Sequence, residues 1–220
     1  MTVIDFIFHT IPYGMVTIVP SRSDWLDAGL VSLAADGPDG LRIDRLCRRL
    51  QVSKGSFHHH FAGAGDFKQA LLAAYEARVV EALDQAIEQT AAATPKDALA
   101  GLTASITKTD GFYRPDLEVA IRAWAFSDPQ VRAVQQRVDQ RRLESLHGIW
   151  SQILDDPAAA YTAALLPYLV GIGASLIQPP TPPDQLQRVY ELLLNSVPDE
   201  ASAKKPETLD QPLRHWYGPD

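Results

Sequence analysis

The chain has 220 residues, of which 46% are hydrophobic and 21% are charged, and its formal net charge at pH 7 is −7. A chain of this length forms one large domain or two small ones and buries enough surface to need neither disulfides nor a structural metal. Its single cysteine, Cys47, excludes a disulfide framework and indicates a reducing compartment. The acidic balance argues against a wholly basic nucleic-acid coat protein, although local charge decides whether a surface binds DNA.

The first 20 residues differ in composition from the rest of the chain. They contain no lysine or arginine, and Asp5 and His9 interrupt the apolar run. A secretory signal instead begins with basic residues and continues with an unbroken apolar stretch. We expect a weakly ordered extension over residues 1–20, within which Met15 is an alternative start of the native protein.

Signals for helices follow one another from residue 21 onward. Ser21 and Asp24 form a capping-box pattern, and Leu26, Leu30 and Leu33 after them repeat at helical spacing. No alternating strand pattern of useful length appears, so the predicted fold class is all-α. Proline is tolerated in the first turn of a helix, and it begins five later predicted helices, over residues 95–109, 115–126, 129–154, 157–178 and 183–197.

The uncharged stretch between residues 157 and 183 is long enough to cross a membrane. Against that interpretation, Pro167 lies near its middle, and the flanking charges are acidic rather than the lysines and arginines that anchor membrane spans. A helix buried inside a water-soluble protein also lacks a polar face. We therefore predict a buried packing helix, no membrane association and a cytoplasmic protein.

A pair of short basic helices is predicted between residues 42 and 61. Five basic residues and one acidic residue, Asp44, give this segment a charge of +4, so the other 200 residues carry −11. Two short helices joined by a turn of roughly three residues form a helix-turn-helix, and a second helix of about eight residues, ~12 Å long, fits the major groove of B-DNA. The residues expected to contact DNA are Arg42, Arg45, Ser53, Lys54, Gly55, Ser56, His58 and His59.

The run from Leu41 to Phe61, and above all its part Val52-Ser-Lys-Gly-Ser-Phe-His-His-His-Phe61, resembles the DNA-binding segment of the tetracycline-repressor (TetR) family. The resemblance extends from Ser21 to about Tyr75. It implies a homodimeric bacterial transcription factor that reads a double-stranded DNA operator with residues 21–68. Residues 69–197 would then bind an unknown small-molecule effector and pair the subunits. Residues 198–220 are polar and contain proline, so we expect them to form a mobile tail.

Three positions depart from the pattern of that family. His58 stands where the family usually has a tyrosine that touches a phosphate, Ala64 where many members have a lysine, and Arg42 where a threonine or serine caps the second helix. Loss of one phosphate-contacting lysine lowers the salt-dependence slope of DNA binding by about 1, and Arg42 is a candidate to restore that contact. Because of these departures, the operator sequence cannot be predicted from those of the family.

Two features of the basic segment have other interpretations. Successive helical residues point about 100° apart, so His58, His59 and His60 cannot converge on one ion, and we predict no metal site. Cys47 lies on the apolar stripe beside Leu46, which favours a buried structural thiol over a redox sensor.

The C-terminal half carries large aromatic side chains on several predicted helices, and apolar ligand pockets use such side chains together with a few polar groups. Ordinary core packing is the alternative for each residue. The candidate ligand-binding residues are Arg122, Trp124, Phe126, His147, Trp150 and Tyr168. Small residues in the 157–178 helix and apolar residues in the 183–197 helix predict a four-helix dimer interface across a two-fold axis.

The favoured function is a repressor whose operator affinity falls when a ligand binds the C-terminal helices. A small all-helical enzyme is one alternative, but the chain has no nucleophile elbow, P-loop, dinucleotide fingerprint or metal-ligand spacing. We therefore predict no catalytic residues and no cofactor. The other alternative is a DNA-binding protein without a small-molecule effector, controlled by a partner protein or organising the chromosome. Binding to many weak sites rather than to one operator would distinguish it.

Overall fold

A computed structural model describes residues 19–89, 94–107 and 114–197 of the chain. Every regular element within these ranges is a helix, which confirms the all-α fold class. The α-helices are α1 (Arg22–Asp36), α2 (Ile43–Leu50), α3 (Lys54–His60), α4 (Ala64–Glu88), α5 (Pro95–Thr107), α6 (Pro115–Ala125), α7 (Pro129–Trp150), α8 (Pro157–Leu176) and α9 (Pro183–Asn195). The predicted extension lies outside the described residues except for positions 19 and 20, and the predicted tail lies wholly outside them.

The chain divides into two compact units. Unit 1 comprises Met1–Arg78 and Pro115–Gln136, and unit 2 comprises Val79–Arg114 and Arg137–Asp220. Helices α4 and α7 contribute residues to both units, whereas α6 belongs to the unit that contains α1, α2 and α3. The boundary predicted after residue 68 separates a DNA-binding domain from a regulatory domain. The division into compact units does not show which function each unit has, so this boundary stays a prediction.

Helix α1 begins with the predicted capping box. The Asp24 N–H donates to the Ser21 hydroxyl at 3.2 Å, and the Ser21 N–H donates to the Asp24 carboxylate at 2.7 Å. Hydrogen bonds from the Ser21 hydroxyl and N–H hold the pKa of Asp24 below its usual value. The helix ends at Gly37, whose φ of 64° is one that glycine adopts without strain.

The core of unit 1 is built from aromatic rings. Trp25 of α1 and Phe57 of α3 are both 0% exposed, and their ring centroids lie 5.3 Å apart in an edge-to-face arrangement. Phe61 and Phe67 extend the cluster, with ring centroids 5.0 Å apart. Aromatic pairs favour such edge-to-face geometry, so this cluster fixes α3 against α1 and α4.

An ion pair inside unit 1 joins Lys68 of α4 to Asp128, whose side chains are 25% and 22% exposed. The hydrogen bond from Lys68 is the main cause that holds the pKa of Asp128 below its usual 3.8. Asp128 also accepts hydrogen bonds from the N–H groups of Gln130 and Val131 at the start of α7. The charged form of this carboxyl therefore stabilises the folded chain.

We expect the ion pair between Lys68 and Asp128 to make the free energy of unfolding depend on pH in the acidic range. A carboxyl whose pKa is lowered by folding contributes stability that is present above its unfolded pKa and is lost as pH falls through the folded value. The free energy of unfolding should therefore fall below about pH 4, and it should fall less steeply in Asp128→Asn, which keeps an oxygen for the α7 N–H groups. Chemical unfolding at pH 6, 4 and 3 measures this, and equal acid dependence of the two proteins would contradict the assignment.

Unit 2 has two apolar clusters among its described residues. The first is formed by Leu83, Ala86, Leu99, Leu102, Ile149 and Val197. In the second, around Tyr190 of α9, the Tyr190 hydroxyl donates to the Pro167 carbonyl of α8 at 3.3 Å. A Cβ at Gly171 would lie 2.8 Å from that hydroxyl, so glycine permits this close approach of α9 to α8.

Helix α8 is less buried than the sequence predicts. Within the described residues it is the one helix that is long and apolar enough to cross a membrane, and 28% of its apolar window is buried inside this chain. Only the side that carries small residues such as Ala160 and Ala164 packs on the chain, while Leu169 is 58% exposed. The prediction that α8 is buried is therefore wrong for a single chain.

Candidate nucleic-acid interface

Helices α2 and α3 form the predicted helix-turn-helix. Residues 51–53 join them, and Gln51 has a left-handed φ of 57° while its N–H bonds to the carbonyls of Cys47 and Arg48 at the end of α2. Ser53 occupies the N-cap position of α3, although its hydroxyl makes no capping hydrogen bond. The turn is thus closed by backbone hydrogen bonds and holds the two short helices in a fixed relation.

The inner side of this pair is apolar. Leu46 and Phe57 are 0% exposed and Cys47 is 7% exposed. Burial raises the pKa of the Cys47 thiol, and the nearby Asp44 carboxylate raises it further. The thiol is therefore protonated and enclosed, as expected of a structural cysteine rather than a reactive one.

The outer side carries most of the predicted DNA contacts. Seven of the eight residues are exposed, namely Arg42, Arg45, Ser53, Lys54, Gly55, His58 and His59. Ser56 differs, because its hydroxyl oxygen is buried and has no hydrogen-bond partner within the described ranges. One helical turn separates it from His60, whose Nε2 is also buried. Both face the inner side, so Ser56 does not present its hydroxyl to DNA in this conformation.

Two of the exposed cations are engaged in ion pairs within unit 1. The Lys54 ammonium lies 2.6 Å from the Asp44 carboxylate, and the Arg42 guanidinium lies 3.0 Å from Asp39. The hydrogen bond and charge attraction between Lys54 and Asp44 raise the pKa of the lysine and lower the pKa of the aspartate, so both are ionised at neutral pH. Neither ion pair was predicted, because Asp44 entered only the net charge of the segment and Asp39 lies outside it.

The six candidate ligand-binding residues divide between the two units. Arg122, Trp124 and Phe126 belong to unit 1, whereas His147, Trp150 and Tyr168 belong to unit 2. Neither unit alone therefore contains the complete predicted set, and the two groups have different surroundings.

In unit 1, the three candidates have charged or exposed surroundings. The Arg122 guanidinium lies 2.7 Å from the buried carboxylate of Glu118, so its charge is already balanced. Phe126 follows the last residue of α6 in a turn and is 85% exposed, so it takes no part in the core, and its place in a ligand pocket stays a prediction. The Lys68 ammonium lies over the Trp124 ring, 5.4 Å from the ring centroid.

In unit 2, two candidates on α7 carry unpaired polar atoms. Nε2 of His147 and Nε1 of Trp150 are buried and have no hydrogen-bond partner among the residues that the structure describes. The His147 ring lies edge-on to Tyr161 at 6.0 Å, and Tyr168 donates to Asp139 at 2.6 Å. An unsatisfied buried polar group costs about 1–3 kcal/mol, so these two nitrogen atoms are suited to a bound polar group.

Within the described ranges, no group of three or more histidine, cysteine, aspartate or glutamate side chains could hold a metal ion. The acid of the helix pair instead lies in an ion pair, in which Asp44 contacts Lys54. The chemistry that this surface offers is hydrogen bonding and charge.

The profile of the family described as "Bacterial regulatory proteins, tetR family" matches residues 26–75, which include all of α2 and α3. The match to the tetR family is thus confined to this N-terminal segment. A curated relative, the transcriptional regulator AcuR of Cereibacter sphaeroides, is 39% identical over 75 residues, which are 34% of this chain and 34% of AcuR. The match thus spans about a third of that relative's length.

Three solved structures of bacterial proteins share the fold over most of the chain. A transcriptional regulator from Rhodococcus sp. Rha1 aligns with a TM-score of 0.66 and 19% identity over 81% of this chain and 96% of its own. Reduced Escherichia coli NemR aligns with a TM-score of 0.64 and 18% identity, over 80% of this chain and 97% of NemR. A putative transcriptional regulator from Saccharomonospora viridis, solved in complex with choline, aligns with a TM-score of 0.62 and 18% identity. The alignment covers 80% of this chain and 95% of that protein. At these identities the likeness shows the fold, a helix-turn-helix domain followed by further helices.

Proposed function

We propose that this protein is a cytoplasmic, DNA-binding transcriptional regulator of the tetR family that contacts operator DNA with α2 and α3. The observation that carries the proposal is the two-sided character of this helix pair. Phe57 anchors its inner side in the aromatic core, while Lys54, His58 and His59 are exposed on the outer side. The family match over residues 26–75 supports the same surface.

The dimensions and charge of α3 suit the major groove. Its seven residues span about 10 Å, which fits within a groove about 12 Å wide. Lys54 lies in its first turn, and the cations Arg45, Arg48 and Arg49 are exposed on α2. Phosphate contacts from such cations position a recognition helix, and side chains that reach base edges select the sequence.

The double substitution of Lys54 and His58 by alanine is expected to weaken binding to duplex DNA roughly tenfold and to reduce its salt-dependence slope by about 1 per lysine. Fluorescence anisotropy on DNA from upstream of the protein's own gene, between 50 and 200 mM salt, measures both. Arg188→Ala removes an equally exposed cation from α9 of unit 2 and should change neither. A double variant with unchanged affinity and slope would show that α3 is not the DNA-binding helix.

The same titration separates two kinds of DNA-binding protein. A regulator with one operator binds a near-palindromic site several kcal/mol more tightly than scrambled DNA. Equal weak binding to both DNAs would instead favour the class that binds many sites without a small-molecule effector. The relatives named above are regulators, and we propose no enzymatic activity.

The homodimer belongs to the proposal as well, and the exposed apolar side chains of α8 and α9 support it. Leu166, Leu169 and Leu176 of α8 and Leu192 of α9 are each more than half exposed. Soluble monomers rarely expose a contiguous apolar patch of this kind. A second copy related by a two-fold axis would cover it as a four-helix interface, and light scattering at micromolar concentration, where a monomer would refute the proposal, tests this.

We further propose that the protein is a repressor whose effector binds unit 2 beside His147 and Trp150. The effector would combine an apolar body with a hydrogen-bond acceptor that the Trp150 N–H can reach. A coupling free energy of 1–3 kcal/mol would weaken DNA binding by about 5–150-fold. Compounds that release labelled DNA from the wild type but not from Trp150→Phe, which keeps normal DNA affinity, would support this site, and equal release from both proteins would contradict it.

A further inference from the structure

The basic segment contains a single acid, and that acid lies against the cation of the proposed recognition helix. Asp44 is the only aspartate or glutamate between Arg42 and Phe61. It belongs to α2, ten residues before Lys54 of α3, and the turn between the helices brings the two side chains together at 2.6 Å. The pair crosses the helix-turn-helix rather than lying along one helix.

For DNA binding, the place of this ion pair on the surface matters more than the strength of the attraction between its two charges. The Lys54 and Asp44 side chains are 66% and 63% exposed, so solvent screens their attraction, and such pairs contribute little to folding. Asp44 also lies in the first turn of α2, where an acid interacts favourably with the helix dipole. That local role does not require Lys54, whose side chain is 66% exposed.

We propose that Asp44 limits the affinity of this protein for DNA by competing with phosphate groups for the Lys54 ammonium. This inference rests on the proposed DNA-binding role of α3. A phosphate that approaches Lys54 must displace the Asp44 carboxylate, which then remains as a negative charge beside the DNA backbone. The favourable phosphate contact is therefore partly cancelled on DNA of any sequence.

Asp44→Asn removes the competing charge and keeps the size of the side chain. We expect it to bind a mixed-sequence DNA duplex about two- to fivefold more tightly than the wild type at 100 mM salt, from the usual strength of an exposed pair. The salt-dependence slope should become steeper by up to about 1, because Lys54 is then free to neutralise a phosphate. In the Lys54→Ala background, the same Asp44→Asn change should give little or no gain.

The experiment measures anisotropy of that duplex with four proteins: the wild type, Asp44→Asn, Lys54→Ala and the double variant. Asp184→Asn is the matched control, because it makes the same charge change in an equally exposed pair with Arg188 of α9. Thermal unfolding of each protein checks the fold, and Asp44→Ser, which retains an oxygen near the start of α2, replaces Asp44→Asn if that variant unfolds.

Three results would overturn the role of Asp44 while leaving DNA binding by α3 intact. They are an unchanged or weaker affinity of the Asp44 variant when Lys54→Ala weakens binding, an equal gain with and without Lys54, and an equal gain from Asp184→Asn. The second would mean that Asp44 acts by its own charge, and the third that only net charge matters. A wild type without salt-dependent DNA binding would overturn both this inference and the proposed function.

Discussion

Replacement of Phe57 by alanine is expected to lower the free energy of unfolding by about 3–5 kcal/mol, the usual loss for a fully buried phenylalanine, and to abolish DNA binding at temperatures where the variant is unfolded. Phe57 is 0% exposed, and its ring contacts those of Trp25, Phe61 and Phe67 at centroid distances of 5.3, 5.2 and 5.6 Å. It is the buried residue of α3. Without this ring, α3 loses the contacts that fix it on α1 and α4.

A matched exposed variant separates folding from recognition. His59 lies two residues further along α3 and is exposed. His59→Ala should weaken DNA binding while leaving the urea midpoint of unfolding within the error of the wild type. Chemical unfolding and DNA anisotropy on both variants give the comparison. If Phe57→Ala bound DNA like the wild type at all temperatures, the aromatic core would not be what holds the recognition helix.

Signals that lie within one element were read correctly from the sequence. The capping box of Ser21 and Asp24, the proline starts of α5 to α9 and the turn between α2 and α3 all stand where predicted. Such signals depend on neighbours within four residues, so a single sequence contains them completely. The bounds were less accurate, because helix ends depend on what the last turn packs against.

The inner face of α1 shows why periodicity alone was not enough. The predicted stripe was Leu26, Leu30 and Leu33, but Leu26 is only partly buried and Trp25 is 0% exposed. The stripe is shifted toward Trp25 because the aromatic cluster of α3 and α4 lies on that side of the helix. Contacts between helices therefore decide whether Trp25 or Leu26 is buried. The spacing of apolar residues along α1 alone does not reveal these contacts.

Long-range contacts decide the surroundings of the candidate ligand residues. Arg122 is a ligand candidate by its residue type alone, whereas Glu118, four residues earlier on α6, provides its buried ion-pair partner. That i, i+4 spacing was visible in the sequence and could have found the pair. The inclusion of α6 in unit 1 was not visible, since it requires contacts with α1 more than 70 residues away.

Glu118→Ala is expected to destabilise the chain by about 3–5 kcal/mol, because it leaves the guanidinium of Arg122 buried without its balancing carboxylate. Glu118 is 3% exposed and Arg122 is 17% exposed. The Glu118 carboxylate also accepts from the Gln135 amide N–H at 3.4 Å. The Tyr75 hydroxyl donates to the Gln135 side-chain oxygen at 3.0 Å and lies 3.4 Å from the Glu118 carboxylate. One substitution therefore disturbs hydrogen bonds among α4, α6 and α7.

An exposed pair with the same spacing provides the control for this prediction. Asp184 and Arg188 of α9 are also four residues apart, but their side chains are 65% and 73% exposed, so Asp184→Ala should cost no more than about 0.5 kcal/mol. The double variant Glu118→Leu/Arg122→Met should lose less stability than Glu118→Ala, because removal of both charges leaves no buried guanidinium. Urea unfolding measures all three variants. Equal losses for Glu118→Ala and Asp184→Ala would mean that water reaches Arg122, and a double variant that is less stable than Glu118→Ala would mean that the hydrogen bonds of the cluster, rather than its charges, hold α6 in place.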